Sequence, residues 1–557
     1  MNKLSYFKKG FNKNISFSNN NNKTNEFLFF LFLIFIIFFS FIIVIRLFQL
    51  TIVKGNYYRQ LSEKNRLKEF LIESERGEIV DRKGFTIVKN KPADFNTPIS
   101  EILKNNQRIS SIRHYFYPEE TAHLIGYIQE ADINDLKNDN CLTKLTSGDK
   151  TGKKGVEKLF ECQLRGTSGK KLVQTDARGN FLKTVAIIPP VSGEKIQLSI
   201  DLELQKKAYQ LIKDKKAAII ASDPKTGEIL TLISSPSFNP QYFEEKNPKI
   251  ADYLKDKNYP LFNRATEGVY PPGSLFKLIV ATASLEEKAI DEKTEFEDKG
   301  IIKAGPITFG NWYFLQYGKT DGMVDIVKAI KRSNDIFFYL AGEKTGVEKI
   351  KKWAEIFGLG KKTNIGIEEV EGLVPSTFWK ETVLNDRWYT GDTYNFSIGQ
   401  GYLQNTPLQM NYVTSVFANN GIYCQPKLLK NEKTNCYKLP IFQKTIDLIK
   451  EGMKQACSPG GTGWPLFDFK VKNQKLKINK NQSEESKDLI KIQTACKTGT
   501  AESHAASGLP HAWISVFAPF KEPEIVVTVL VEEGGQGSDT AGPIARDLLK
   551  TYFERSQ

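Results

Sequence analysis

Ser274 and Lys277 are the side chains whose types and spacing best fit covalent acyl chemistry. They follow the turn-forming segment Tyr270-Pro271-Pro272-Gly273 and open an apolar stretch that predicts a helix from Leu275 to about Leu285. Positions three apart share one helix face, so the Lys277 amine is expected beside the Ser274 hydroxyl. Burial and the positive helix end would lower the pKa of Lys277 and let it act as a general base. Backbone N–H groups at the same helix end could bind an oxyanion.

Two further motifs distinguish this pair, since Ser-x-x-Lys alone is common in a lysine-rich chain. The spacing recurs at Ser5, Ser147, Ser168, Ser192 and Ser222. Ser333-Asn334-Asp335 stands at the start of a predicted apolar helix. Lys497-Thr498-Gly499-Thr500 opens the edge of a predicted antiparallel sheet, where an extended peptide could add as another strand. Other copies of Lys-Thr-Gly are predicted in a loop, a hairpin turn and a helix end, beginning at Lys150, Lys225 and Lys344.

Predicted strands on both sides of these motifs must position them. Ala217 to Ala221 and Ile229 to Ile233 flank a turn-forming segment and predict a hairpin. Ala512 to Phe517 and Glu524 to Val531 read as two further strands. Phe469 to Asp488 is highly charged and predicts an exposed excursion.

Composition narrows the class of protein. A chain of 557 residues predicts about two to four domains. Its net charge of +14 is spread along the chain without an arginine-rich block, which favours an anionic membrane surface or acidic polymer over nucleic acid as a partner. Six scattered cysteines are too few for a disulfide-built scaffold, and the four histidines lack zinc-site spacing, so no metal is predicted.

The N-terminal region predicts a membrane anchor. Residues 1–25 are basic and contain no acidic residue, which predicts a cytoplasmic tail. From Phe27 to Ile45 every residue except Ser40 is apolar, so residues 26–46 predict one transmembrane helix. A cleaved signal peptide is the alternative, but the apolar run is long for one and no small-residue cleavage site follows it. The short tail favours an orientation with the bulk of the chain outside.

The three motifs, in this order and with wide spacing, resemble the signature of the serine acyltransferases that bind penicillin. Beyond them, the chain resembles the class B, monofunctional penicillin-binding proteins: Arg76-Gly77-x-Ile79-x-Asp81-Arg82-x-Gly84 and Gly155-x-Glu157 are similar to that family's pedestal motifs. The segments around Trp388-Tyr389-x-Gly391-Asp392-Thr393 and Ser397-Ile398-Gly399-Gln400-Gly401 resemble its elongation-type members, the penicillin-binding protein 2 group.

The resemblance implies a fold and a set of roles. The expected fold is an α/β (α+β) transpeptidase domain over residues 199–557, with a five-stranded antiparallel sheet, after a β-rich pedestal of the dimerisation type over residues 47–198. It implies that Ser274 is the nucleophile, neutral Lys277 its base and Ser333 the proton donor to the leaving D-alanine. Lys497, Thr498 and Thr500 are expected to hold the substrate carboxylate, with the oxyanion between the N–H groups of Ser274 and Thr500. The substrate-binding set is Asp335, Thr498, Gly499 and Thr500.

Two departures from the family pattern bear on these roles. Asp335 stands where most of the superfamily has Asn, although elongation-type members can carry Asp there, so its role is less defined than that of Ser333. Some elongation-type members hold zinc between the first two motifs. Here that interval keeps Asp298 and Trp312 but contains no His or Cys, which argues against a metal site. No cofactor is expected.

The resemblance implies a single-pass peptidoglycan D,D-transpeptidase of the bacterial inner membrane, acting in the periplasm during cell elongation. It would cross-link D-Ala-D-Ala stem peptides, be inhibited covalently by β-lactams and work with a SEDS-family glycosyltransferase of the RodA type. The alternatives are a septal transpeptidase, a β-lactam sensor and a β-lactamase. Glu381-Thr382-Val383-Leu384-Asn385 matches the motif that positions the hydrolytic water in class A β-lactamases, but Glu381 is predicted to be a solvated loop residue.

Overall fold

The computed structural model describes residues 22–91, 108–176, 178, 180–472, 489–503 and 507–555. Within these ranges the chain forms two compact units. The first contains the described residues up to Leu71, Arg108 and most of Lys170–Ile188, and the second contains the three motifs. Residues 1–21 of the predicted tail and residues 473–488 of the predicted excursion lie outside the described residues.

The first unit begins with the predicted apolar helix. It runs over Asn22–Phe48, continues as a π-helical turn over Gln49–Val53 and is followed by the helix Gly55–Arg66. The segment Asn25–Val53 is long and apolar enough to cross a membrane, and none of it is buried by protein. A four-stranded sheet completes this unit, with the strand order Arg108–Ile109, Leu67–Ile72, Gly169–Thr175 and Phe181–Ile188.

The second unit includes β-rich structure within the predicted pedestal. One sheet has the strand order Ile196–Gln197, Ile79–Val80, Thr86–Lys91 and Ile112–Tyr115. A short antiparallel pair joins Ile128–Glu130 to Lys150–Gly152, so the prediction of a loop at Lys150 was wrong. The helices here are Pro118–Ile125, Ile133–Lys137, Gly155–Leu159 and Glu161–Leu164.

The pedestal motifs meet in a buried ion-pair network. Arg76 contacts Glu157 and Glu161, and the fully buried Arg113 donates to Glu157 Oε1 at 2.8 Å and to the carbonyl oxygen of Gly77 at 2.8 Å. Because a buried charge needs both a counter-ion and hydrogen-bond partners, these motifs hold the segment at Gly77 against the helix Gly155–Leu159. Arg113 lies outside the sequence motifs and was not anticipated.

The central sheet of the second unit confirms the predicted five-stranded antiparallel fold. We label its strands in chain order: β1 Ala217–Ser222, β2 Ile229–Ser235, β3 Ala495–Ala501, β4 His511–Ala518 and β5 Ile525–Val531. Their spatial order is β2-β1-β5-β4-β3, and every neighbouring pair is antiparallel. The motif strand β3 is therefore at the edge of the sheet, as predicted.

Helices cover both faces of this sheet because alternate strand residues point to opposite sides. Ala217, Ile219 and Ala221 of β1 pack in a core with the helices Leu202–Ile212 and Gly542–Glu554. Ala218 and Ile220 face the larger core, which is built from the helices Lys277–Glu286, Pro407–Ala418 and Gln443–Ala456.

The other helices of this unit are Gln241–Glu244, Ile250–Lys255, Trp312–Tyr317, Ile326–Arg332, Asp335–Thr345, Val347–Ile356, Thr377–Leu384 and Thr390–Ser397. Its two-stranded pairs are Phe296–Asp298 with Gly322–Val324, Ile301–Ala304 with Ile307–Gly310, Ile422–Cys424 with Cys436–Lys438, and Lys470–Lys472 with Leu489–Lys491.

All six cysteines form disulfides, a pairing that the sequence alone did not predict. The bonds are Cys141–Cys162, Cys424–Cys436 and Cys457–Cys496. The third joins the end of the helix Gln443–Ala456 to β3, one residue before Lys497. It therefore fixes the loop after Cys457 beside the third motif.

Candidate active site

Ser274 lies on a tight turn, and the predicted helix from Leu275 starts two residues later than expected. A 3₁₀ turn covers Gly273–Leu275, and the α-helix begins only at Lys277. Gly273 has a φ of +54°, which favours glycine, and its N–H donates to the carbonyl oxygen of Gly399 at 2.9 Å. This fixed turn places Ser274 on the wall of a large cavity.

Lys277, three residues after Ser274, is fully buried and has three acceptors. Its Nζ donates to Asp335 Oδ1 at 2.6 Å, to the carbonyl oxygen of Ser333 at 2.8 Å and to Ser333 Oγ at 3.4 Å. Burial lowers the pKa of Lys277, while the carboxylate of Asp335 opposes that shift. A lysine in such surroundings can give up its proton more easily than one in water.

Ser333 connects the two buried lysines. It joins the helices Ile326–Arg332 and Asp335–Thr345 and has a φ of +53°. Its Oγ accepts from Lys277 and also from Lys497 Nζ, at 2.7 Å. Since both amines donate to this oxygen, the Ser333 proton is free to point toward another acceptor, and Ser333 itself lines the cavity.

Lys497 is a residue of β3, and its side chain is fully buried. Besides Ser333 Oγ, its Nζ donates to the carbonyl oxygen of Thr498 at 2.9 Å. Burial, and then the nearby Lys277, holds the pKa of Lys497 well below its usual value. A positive charge on Lys277 therefore disfavours the protonated form of Lys497.

The cavity has a volume of about 700 Å³ and is lined by six of the eight sequence-predicted site residues: Ser274, Ser333, Asp335, Thr498, Gly499 and Thr500. Lys277 and Lys497 are not part of its wall, but both donate hydrogen bonds to Ser333 Oγ, and Ser333 lines the cavity. The structure thus brings all eight residues together. The direct contact of Lys497 with a substrate carboxylate stays a prediction.

Other cavity residues were not anticipated from the sequence. Thr498 Oγ1 donates to Thr462 Oγ1 at 2.7 Å, and Thr500 Oγ1 donates to Gln536 Oε1 at 3.2 Å. Trp312, Tyr317, Tyr339 and Trp464 add aromatic surface. Trp312 was noted between the first two motifs without a role in the cavity, and the other residues belong to none of the three motifs.

The turn at Gly399 and Gln400 is hydrogen-bonded both to the turn that carries Ser274 and to the end of β3, and we call it the clamp. Gly399 accepts the N–H of Gly273, and Gln400 Nε2 donates to the carbonyl oxygen of Thr500 at 3.4 Å. The N–H of Glu502 donates back to Gln400 Oε1 at 3.3 Å. The same short segment therefore sets the distance between Ser274 and the backbone of Thr500.

Gly399→Ala should damage this clamp. Gly399 has a φ of +77°, and a Cβ there would lie 2.1 Å from the carbonyl oxygen of Gly273. We expect the free energy of unfolding to fall by more than about 2 kcal/mol, because backbone strain adds to the clash. Gly346→Ala is the control, since Gly346 also has a positive φ but has open space around it. Equal losses of thermal stability in the two variants would contradict the clamp.

Glu381 is placed away from this chemistry. It is exposed, as predicted, but it lies on the helix Thr377–Leu384 instead of in a loop, and it is not part of the cavity wall. Among the described residues, no group of three His, Cys, Asp or Glu side chains could hold a metal ion.

Comparison with known proteins adds to this geometry. Residues 217–550 match the family described as penicillin binding protein transpeptidase domain, and residues 103–198 match the penicillin-binding protein dimerisation domain. The chain is 31% identical to the peptidoglycan D,D-transpeptidase MrdA of Haemophilus influenzae, over 85% of this chain and 75% of that protein.

Two solved structures are similar over most of the chain. PBP2 of Helicobacter pylori in complex with MreC has a TM-score of 0.70 at 27% identity, covering 87% of this chain and 99% of that one. A chain of a peptidoglycan synthase complex, described as coordinating polymerization and crosslinking, has a TM-score of 0.73 at 26% identity, covering 97% of this chain and 100% of that one.

Proposed function

The chain belongs to the penicillin-binding protein transpeptidase family, and we propose that it is an elongation-type peptidoglycan D,D-transpeptidase. The observation that carries the proposal is the buried cluster of Lys277, Ser333, Lys497 and Asp335, two of whose members, Ser333 and Asp335, line the same cavity as Ser274. A serine hydroxyl needs a base to become a nucleophile, and this cluster supplies a lysine whose pKa burial has lowered.

The proposed reaction has two halves. Ser274 Oγ attacks the carbonyl carbon of the terminal D-Ala-D-Ala bond while its proton passes to the neutral amine of Lys277. Backbone N–H groups of Ser274 and Thr500 stabilise the oxyanion. When the tetrahedral intermediate collapses, Ser333 passes a proton to the nitrogen of the departing D-alanine. The ammonium group of Lys277 restores the proton of Ser333, to which it donates a hydrogen bond. A neutral amine of a second stem peptide then attacks the ester carbonyl, forms the cross-link and gives up a proton, which Ser274 Oγ takes as it leaves.

The substrate carboxylate is assigned to the β3 side of the cavity. The hydroxyls of Thr498 and Thr500 and the backbone at Gly499 form that wall, and Lys497 lies behind it. An approaching carboxylate would favour the protonated form of Lys497, whose pKa is otherwise held low by burial. Asp335 is assigned to holding the Lys277 amine.

We propose that the chain is a single-pass protein of the bacterial inner membrane with its catalytic domain in the periplasm. The N-terminal apolar helix provides the anchor. The three disulfides support the orientation, because disulfides persist in oxidising compartments such as the periplasm and are rare in the cytoplasm. The domain limits 47–198 for the pedestal and 199–557 for the transpeptidase are part of this proposal.

Thiol labelling tests this location. All six cysteines should resist alkylation when cells are lysed directly into denaturant, and all six should react after reduction. Mass spectrometry of the alkylated protein gives the count. Labelling of the Cys457 and Cys496 thiols before reduction would place the catalytic domain in a reducing compartment and contradict the proposal.

A SEDS-family glycosyltransferase of the RodA type is the proposed partner for strand polymerisation. The similarity to a chain of a peptidoglycan synthase complex supports this choice, as does the similarity to a PBP2 that was solved with MreC. A fluorescent fusion should therefore move with the elongation machinery along the side wall. Exclusive localisation at the division site would favour a septal role instead.

Cross-linking is the direct test of the proposed reaction. The purified full-length protein, supplied with uncross-linked glycan strands that carry pentapeptide stems, should form cross-linked dimers and release one D-alanine per cross-link. Chromatography of digested strands measures both products. Ser274→Ala should form neither, and D-alanine release without cross-links from the wild type would make the chain a carboxypeptidase.

A further inference from the structure

Asp298 is a buried carboxylate close to the second motif that the proposed mechanism does not use. It ends the strand Phe296–Asp298 and is only 3% exposed. Its Oδ1 accepts the N–H of Gly300 at 2.8 Å, and its Oδ2 accepts three donors: Asn311 Nδ2 at 2.7 Å, the N–H of Asp321 at 2.9 Å and Asn334 Nδ2 at 2.9 Å. Four short bonds on one side chain indicate a fixed junction.

Asn311 carries the first connection from Asp298 to the site. Its side chain is fully buried, with Nδ2 on Asp298 and Oδ1 accepting the N–H of Asp335 at 3.1 Å. The next residue, Trp312, donates its backbone N–H to Asp335 Oδ2 at 2.9 Å. Asn311 therefore fixes the backbone N–H of Asp335, and the adjacent Trp312 fixes its carboxylate. That carboxylate accepts from the amine of Lys277.

Asn334 carries the second connection. It is fully buried and lies between Ser333 and Asp335, with Nδ2 on Asp298 and Oδ1 accepting the N–H of Phe337 at 2.9 Å. Ser333 beside it has a φ of +53°, a conformation that non-glycine residues adopt only when their surroundings hold them there. Through Asn334, Asp298 thus helps to hold Ser333 in this conformation. The hydroxyl of Ser333 is the group that accepts from both lysines.

The charge of Asp298 is balanced by N–H groups. No Lys, Arg or His among the described residues lies within ion-pair distance of its carboxylate. Both of its oxygens face donors, and only a carboxylate offers acceptors on both sides. An isosteric amide would turn an NH₂ group toward at least one of these donors, so the site requires aspartate.

We propose that Asp298 is a positioning residue for the acyl-transfer site: it orients the amides of Asn311 and Asn334 and, through them, the places of Ser333 and Asp335. The inference rests on the proposed function. It gives a positioning role to a residue that lies between the first two motifs and belongs to neither of them.

The test compares Asp298→Asn with wild type in the rate of acylation by a fluorescent penicillin. We expect the first-order acylation constant to fall about tenfold or more, because a small displacement of catalytic groups has effects of that size, while the dissociation constant of the initial complex stays within about twofold. Asp325→Asn is the matched control, since asparagine caps the helix Ile326–Arg332 as well as aspartate does.

The pH profile separates positioning from simple loss of folded protein. The groups facing the Lys277 amine are Asp335, Ser333 and Lys497, and of these the Asp335 carboxylate raises the pKa of Lys277. Displacing Asp335 should therefore lower that pKa and move the acid limb of the acylation profile to lower pH. A loss of folded protein alone would reduce the amplitude without moving the profile.

Two outcomes would overturn the inference. One is an Asp298→Asn protein with the wild-type acylation constant and pH profile. If that variant does not fold, Asn311→Ala removes the connection to Asp335 and leaves Asp298 in place, and an unchanged constant and profile there would overturn the inference equally. Failure of the wild type itself to react with penicillin would instead reject the proposed function.

Discussion

Lys277→Arg should lose acylation of Ser274 almost as completely as Lys277→Ala, by about 10²- to 10⁴-fold. Lys277 is fully buried, and burial lowers its pKa, so a neutral amine is accessible. Arginine keeps the charge but cannot release a proton near neutral pH. Stopped-flow measurement with a fluorescent penicillin gives the acylation constant.

The pH dependence of the same reaction has a definite sign. Only the neutral amine of Lys277 acts as a base, so the wild-type rate should rise as pH increases through its lowered pKa. Lys344→Arg, on the exposed end of the helix Asp335–Thr345, should keep the wild-type rate and profile. An arginine at position 277 that reacts at the wild-type rate would make Lys277 an electrostatic aid, with Ser333 the next candidate for the base.

Ser333→Ala is expected to slow acylation by about 10²- to 10⁴-fold while the protein stays folded. The Ser333 hydroxyl accepts from both buried lysines, so its loss removes the connection between Lys277 and Lys497 and the proton donor for the leaving group. The same fluorescent penicillin assay measures the change.

Ser284→Ala is the matched control for that variant. Ser284 is a buried serine on the helix Lys277–Glu286. Its hydroxyl donates to the carbonyl oxygen of Val280 and accepts from Thr345 Oγ1, and it is not part of the cavity wall. Penicillin should acylate Ser274 of the Ser284→Ala variant at the wild-type rate. If Ser333→Ala were acylated at that rate as well, the proton would reach the leaving group by another route.

The elements that carry the three motifs could be predicted because short-range patterns define them. Apolar runs predicted the strands β1, β2, β4 and β5. Lys497 was predicted to open the edge of a sheet, and the structure confirms this position. The apolar helix after Asn334 was predicted for the same reason. Burial of these runs supplies the driving force for the fold wherever they occur in the chain.

The features that escaped prediction depend on contacts between distant residues. The 3₁₀ turn at Ser274 is fixed by the bond between Gly273 and Gly399, more than a hundred positions along the chain. The disulfide pairing could not be deduced, since six cysteines allow fifteen connectivities. Glu381 was expected in a loop because its motif was compared with β-lactamases, whereas its own segment forms a helix capped by Ser376.

Intact-protein mass spectrometry after exposure to penicillin tests the central claim most directly. The wild type should carry one persistent acyl adduct, which peptide mapping locates on Ser274. Ser274→Ala should carry none, and its melting temperature should match wild type because the serine lines a cavity and contributes little packing. Glu381→Gln should hold the adduct as long as wild type does, since Glu381 lies outside the cavity wall. Rapid loss of the adduct from wild type with retention in Glu381→Gln, or an adduct on a residue other than Ser274, would contradict the account.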